Sequence, residues 1–222
     1  MKSENAVFDA IIFDLDGVMV DTRTVVEKVW FEWAVVNEID WEDVKNNIHG
    51  KRTVEIIRQF APELNEESVV KIIEDKQAED IDNIFVVEGA LECLKIIKDC
   101  KWAIVTSNTR TAALKKIGAG QFTVPDVLIT GDDVINGKPS PDGYLMAAAK
   151  LEVEPENCLV VEDSPAGVKA GKNAGMFVAG VKTTHRGSFL RNADIIVTSL
   201  NDLRISCSDS PDGKKINVAK VL

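Results

Sequence analysis

The sequence holds only two histidines, His49 and His185, and four cysteines, Cys93, Cys100, Cys158 and Cys207, with no CxxC pair among them. That set is too sparse and scattered for the Cys/His cage of a structural zinc site. The cysteines are expected to be reduced, mostly buried thiols. No uncharged apolar run approaches the roughly 20 residues that a spanning helix needs, so a membrane is not an expected partner. Basic residues are also in deficit: 26 Lys and Arg against 36 Asp and Glu leave a net charge of −10. A chain of that sign repels a phosphate backbone at long range, which argues against nucleic acid. The opening MKSENAVFDA puts Glu4 and Asp9 where a secretory signal needs its apolar stretch, and a cytoplasmic location is expected. Repeats and low-complexity tracts are absent. What remains is 222 residues, 45% hydrophobic and 28% charged, the size and composition of one globular domain or of a domain carrying a smaller insert.

Residues 7–13, VFDAIIF, read as a short buried strand that stops at Asp14-Leu15-Asp16-Gly17. Similar runs follow at 102–106 (WAIVT), 127–130 (VLIT), 158–161 (CLVV), 176–181 and 194–197. Helix-length stretches separate them at 89–98, 110–117, 141–150 and 165–174. Strand alternating with helix predicts an α/β, Rossmann-like three-layer core with a parallel sheet covered on both faces. Ligands of such sheets gather at the carboxyl ends of the strands. The interval 22–87 breaks the alternation, with Val25, Val26, Val29, Trp30, Trp33 and Val36 at helical spacing and no convincing strand. It is expected to be a small helical domain, inserted into a core made of residues 1–21 and 88–222. A β-hairpin is expected at about 203–221, around the turn Ser210-Pro211-Asp212-Gly213.

Four strand ends carry chemistry. In the first, two carboxylates one residue apart, Asp14 and Asp16, point the same way while the chain is extended, and Gly17 permits a sharp turn after them. A calcium loop also opens DxD, but here its fifth and sixth positions are Val18 and Met19. An Asp pair capping a helix is the plainer alternative. The second run ends in Thr106-Ser107-Asn108, offering hydroxyl, amide and backbone N–H groups suited to an oxyanion. Lys138 follows Gly137 and precedes Pro139, a point charge between turn residues. The last is Glu162-Asp163-Ser164-Pro165, two acids at a strand end. Separately, each of these reads as a cap or a solvated charge. Together, in this order, they read as one site.

The chain resembles the haloacid dehalogenase superfamily, in its phosphatase and phosphomutase branch, whose four motifs match FDLDG, VTSN, GKPSPD and VVEDSPAG. The insert after the first motif corresponds to that branch's four-helix cap. HGKRTVEIIRQFAPEL and KWAIVTSN are similar to sugar- and polyol-phosphate phosphatases, including those acting on glycerol 3-phosphate and 2-deoxyglucose 6-phosphate. The resemblance implies a magnesium-dependent enzyme that hydrolyses a small phosphorylated metabolite as a monomer or small homo-oligomer. It implies that Asp14 is the nucleophile and Asp16 the general acid and base. Magnesium would be held by Asp14, the Asp16 main-chain carbonyl and Asp163, with Glu162 nearby or bound through water. Ser107, Asn108 and Lys138 would grip the phosphoryl oxygens. Physical reasoning asks for the same parts. A carboxylate 4 Å from a phosphate dianion costs on the order of 8 kcal/mol at an effective dielectric of about 20, which a divalent cation and a lysine offset.

In the insert, His49, Lys51 and Arg52 form a cationic cluster and are the candidate substrate contacts. The nearest competing activity is a β-phosphoglucomutase, which shares the four motifs and the cap. Such mutases resemble one another in a histidine soon after the DxDG loop and a lysine in the cap. Here TRTVVEKVW lacks histidine and HGKRT carries His49 in place of the lysine, which favours hydrolysis. Receiver domains also set acids, a hydroxyl and a lysine at strand ends, but run near half this length and lack an acid at the position of Asp16. A catalytically dead interaction protein on this fold would have lost one of the polar residues, and all are present.

Overall fold

The computed structural model describes residues 6–211 and 213–220. In chain order its strands are β1 (Ala6–Phe8), β2 (Ala10–Phe13), β3 (Val20–Asp21), β4 (Phe85–Val86), β5 (Lys101–Val105), β6 (Val127–Ile129), β7 (Cys158–Glu162), β8 (Phe177–Val181), β9 (Ile195–Val197), β10 (Leu203–Ser210) and β11 (Gly213–Lys220). Its helices are α1 (Arg23–Val36), α2 (Trp41–Ile48), α3 (Thr53–Phe60), α4 (Glu66–Glu79), α5 (Ala90–Ile96), α6 (Arg110–Ala119), α7 (Asp142–Leu151) and α8 (Pro165–Asn173). Six strands form a parallel sheet in the order β6-β5-β2-β7-β8-β9.

Side chains alternate across that sheet as a two-residue period requires. Ile11 and Phe13 of β2 and Leu159 and Val161 of β7 enter one buried apolar layer, while Ala10, Ile12, Cys158 and Val160 enter the other. Because both faces are covered, every residue of β2 and β7 is buried, which explains their uninterrupted apolar runs. Chain order reverses at β2, so the crevice for a ligand lies beyond its carboxyl end, between β5 and β7.

Two readings of the sequence need correction. The run 7–13 is two strands: Asp9 breaks it, its N–H donating to the Asn157 carbonyl at 2.9 Å and its carboxylate pairing with Lys215. β1 instead joins a three-stranded antiparallel sheet, β1-β11-β10, with the hairpin. The interval 22–87 is also not wholly helical, since β4 pairs with β3 as a two-residue ribbon at its stem. The hairpin itself forms where expected; Asp212 of its turn and Val221 lie outside the described residues, as do the first five residues.

The thiols are corrected too. Cys100 and Cys207, 107 residues apart in sequence, are joined in a disulfide. β10 packs against α5, which brings a hairpin cysteine to the loop after that helix. Cys93 and Cys158 are buried free thiols as expected.

Helices α1–α4 pack on one another around Val29, Trp30, Trp33, Val44, Ile56, Ile57 and Ile73, a third apolar cluster apart from the two on the sheet. Local capping sets their starts. Asp40 accepts from the Glu42 and Asp43 N–H groups ahead of α2, and Asn65 accepts from Ser68 N–H ahead of α4. No helix among the described residues is long and apolar enough to cross a membrane.

Candidate active site

Asp14 follows β2, Thr106 to Asn108 follow β5, and Glu162 ends β7 with Asp163 next, so sheet register alone sets them side by side. Lys138 arrives from the loop beyond β6. Its buried Nζ lies 2.5 Å from Asp14 Oδ1, 2.6 Å from Glu162 Oε1 and 3.3 Å from the Val105 carbonyl. Glu162 is wholly buried and every lone pair direction is used: Tyr144 Oη donates to Oε1 at 3.0 Å, while Oε2 accepts from Asp163 N–H, Ser164 N–H and Ser164 Oγ at 2.9 to 3.0 Å. Its Oε1 thus supports Lys138.

The carboxylates of Asp14, Glu162 and Asp163 lie within 4.8 Å of one another. Burial, with repulsion from Glu162, pushes Asp14 up to about 7 against the attraction of Lys138. Burial, with repulsion from Glu162 and Asp14, raises Asp163 well above the carboxylate range, and no cation pairs with it among the described residues. With all three ionised they would face one ammonium at −3 + 1 = −2, a charge that one divalent ion balances and that protons neutralise in its place. Gly17 leaves the room: at φ +77°, a Cβ there would stand 1.9 Å from Asp163 Oδ2. The donor set is all hard oxygen, which suits magnesium.

Asp16 is held differently. It is partly exposed to a cavity of about 60 Å³, lined also by Asp14, His49, Gln77, Ser107 and Lys116. Lys116 Nζ donates to Oδ1 at 2.7 Å, Thr22 Oγ1 to the same oxygen at 2.5 Å, and the Asn108 amide to Oδ2. Burial would raise this carboxyl, but Lys116 and those hydrogen bonds outweigh it and hold it below the usual range.

The sequence assigned Asn108 to phosphoryl binding; here its NH₂ group is directed at Asp16 and Thr106, because Lys116 occupies its carbonyl at 2.8 Å. Ser107 does face the cavity, its hydroxyl donating to the Gly50 carbonyl at 2.9 Å. His49 also lines the cavity, edge-on to His185 with ring centres 5.7 Å apart, and burial followed by that neighbour lowers its pKa. Lys51 lines it too but turns its ammonium back to Asn47 at 2.8 Å. Arg52 does not reach the cavity. Its guanidinium donates to Glu55 at 2.7 and 2.9 Å and to the Val134 and Ile135 carbonyls at 3.1 and 3.0 Å, across to the loop that carries Lys138.

Lys116, Tyr144, Thr22 and Ser164 escaped the sequence reading. One signal was available for Lys116. It falls on the face of α6 that buries Ala112, Ala113 and Ile117, an apolar position where a lysine needs a partner.

Residues 8–175 match the family described as haloacid dehalogenase-like hydrolase. The chain belongs to that family. Within it, the chain is 33% identical over 210 residues to hexitol phosphatase A of Escherichia coli, covering 92% of this chain and 96% of the relative. It is 32% identical over 226 residues to 2-deoxyglucose-6-phosphate phosphatase 1 of Saccharomyces cerevisiae, covering 89% and 90%. Among solved structures, the β-phosphoglucomutase of Clostridium difficile superposes with a TM-score of 0.78 at 25% identity, over 87% of this chain and 92% of that one. As a member of the family the protein is a hydrolase built on the same parallel-sheet core.

Proposed function

We propose that the protein is a phosphoric monoester hydrolase that uses magnesium and an aspartyl-phosphate on Asp14 to release phosphate from a small phosphorylated sugar or polyol. The observation that carries the reading is the meeting of Asp14, Lys138 and Asp163 at adjoining strand ends, with Asp16 in the cavity beside them. The substrate class is supported by the names of the relatives. Helices of the 22–87 interval serve as a cap over a core of residues 1–21 and 88–222, supported by their own apolar cluster and by the Gly50 contact at the cavity.

Asp14, Asp163 and the Asp16 carbonyl would hold magnesium, which would supply positive charge against the phosphoryl oxygens. In the first step an Asp14 oxygen forms a bond to phosphorus while the ester P–O bond breaks. That electron pair leaves on the substrate oxygen, which takes a proton from Asp16; because the free site holds Asp16 ionised, this proton enters with the substrate, whose phosphate charge raises the carboxyl again. In the second step water attacks phosphorus, gives its proton to Asp16, and the bond to Asp14 breaks to free phosphate. Lys138 and the Ser107 hydroxyl bind phosphoryl oxygens through both steps, and His49 and Lys51 face the leaving group. Lys138 therefore has two tasks, orienting Asp14 and neutralising the anion that Asp14 must approach.

The test is phosphate release from a panel of sugar and polyol monophosphates with and without magnesium. Hydrolysis of a polyol or sugar ester that stops in EDTA is expected. Glucose 1-phosphate isomerised without phosphate release would make the protein a mutase and overturn the reading.

A further inference from the structure

Two buried lysines divide the aspartates of the DxDG loop between them. Lys138 serves Asp14; resting on the phosphatase reading above, we propose that Lys116 is the positioning residue for Asp16, fixing the carboxylate that exchanges the proton with the leaving oxygen. Lys116 is 4% exposed and sits on the apolar face of α6, a placement that is costly unless its ammonium is fully partnered. Its partners are Asp16 Oδ1 at 2.7 Å and Asn108 Oδ1 at 2.8 Å.

The second contact governs the first. A lysine ammonium only donates, so it selects the amide face of Asn108 that presents oxygen to it. The Asn108 NH₂ group must then turn to Asp16 Oδ2 and Thr106 Oγ1, as it does. One oxygen of Asp16 is thus held by Lys116 directly and the other through Asn108, with Thr22 adding a donor to the first. Removing Lys116 frees one side of Asp16 and lets Asn108 flip its amide, so the acid loses its direction while Asp14, Lys138 and the acidic cluster stay as they are. A misplacement of about 1 Å in such a group costs on the order of 10²-fold.

This makes Lys116 matter most where the leaving oxygen needs a proton. The experiment compares Lys116→Met with the native enzyme on the best polyol monophosphate of the panel, whose alkoxide leaves poorly, and on p-nitrophenyl phosphate, whose phenolate leaves without a proton. The rate of leaving-group release in a single turnover, which precedes the water step that both esters share, is expected to fall about 100-fold for the polyol ester and less than about 10-fold for p-nitrophenyl phosphate. The exposed neighbour Lys115, replaced by Met, is the control and should alter neither. An equal fall on both esters, or no fall on either, overturns the proposal. If circular dichroism finds Lys116→Met unfolded, Lys116→Gln, which keeps one donor for Asp16, decides by the same ratio. A native enzyme inert to both esters would sink the phosphatase reading itself, an outcome distinct from an unchanged ratio in an active one.

Discussion

Lys138 Nζ lies 2.5 Å from Asp14 Oδ1, and both side chains are about 95% buried. Neither charge is tolerable there without the other, since several kcal/mol of solvation are lost by each. Despite burial, Asp14 and Glu162 hold Lys138 charged, well above its ordinary range. Lys138→Met should therefore cost about 3–5 kcal/mol of folding stability, a large part of the roughly 5–15 kcal/mol of an ordinary domain. Urea denaturation measures it. The loss should shrink near pH 5, where the stranded carboxylates can take up protons; a variant as stable as native at pH 7.5 would show that the pair is dispensable to the fold.

Asp14→Asn should abolish turnover and leave the chain folded. It should also change how stability depends on pH. In the metal-free protein Asp14 titrates at about 7 instead of its ordinary 3.8, so the folded state keeps a proton that the unfolded state has released. Between those values the folded state binds more protons, and stability must fall as pH rises. Thermal melts in EDTA from pH 5 to 7.5 should show that decline in the native chain and a flatter profile in Asp14→Asn. Each kcal/mol moves the midpoint by roughly 2–4 °C in a chain this long. Equal slopes would rule out Asp14 as the titrating group.

The same imbalance predicts a metal effect that needs no substrate. Magnesium at 100 times its Kd adds about 2.7 kcal/mol to the folded state, or roughly 5–11 °C in melting temperature. Asp163→Asn removes the carboxylate for which Gly17 leaves room, and should erase the shift while keeping the fold. A native protein whose midpoint ignores magnesium would discard the metal site.

Much of this was legible in the sequence because chemistry here stands at the ends of apolar runs. Asp14, Ser107 and Glu162 each follow a strand whose neighbours in the sheet fix their neighbours in the site, so linear order carried over to space. What sequence hid depends on contacts between distant segments. Helical spacing sets Lys116 apart from its neighbour Lys115, but its partners Asp16 and Asn108 come only with the fold. The break at Asp9 requires the hairpin that recruits β1, and the pairing of Cys100 with Cys207 requires the same hairpin to lie against α5. The cationic HGKRT stretch makes Arg52 a candidate substrate contact, whereas its target, two backbone carbonyls 82 and 83 residues away, leaves no trace in the amino-acid pattern.

Arg52 yields the last prediction. Its fork ties α3 to the Val134–Ile135 backbone, while Glu55 accepts from Gly137 N–H at 3.3 Å, next to Lys138. The link joins the helical insert to the lysine loop, so it reports insert position to the site without touching substrate. Arg52→Ala should cost about 1–3 kcal/mol through lost charge-assisted hydrogen bonds, the lower part of that range because Arg52 and Glu55 are 15% and 27% exposed. It should also lower kcat together with kcat/KM, as expected when a closing element is loosened. Arg52→Lys should rescue little, because one ammonium cannot reach the carboxylate and both carbonyls that the spread donors of a guanidinium serve. Small-angle scattering separates this role from substrate binding: a clamp predicts a larger radius of gyration in Arg52→Ala without any ligand, whereas a substrate contact predicts an unchanged radius and a rise in KM alone.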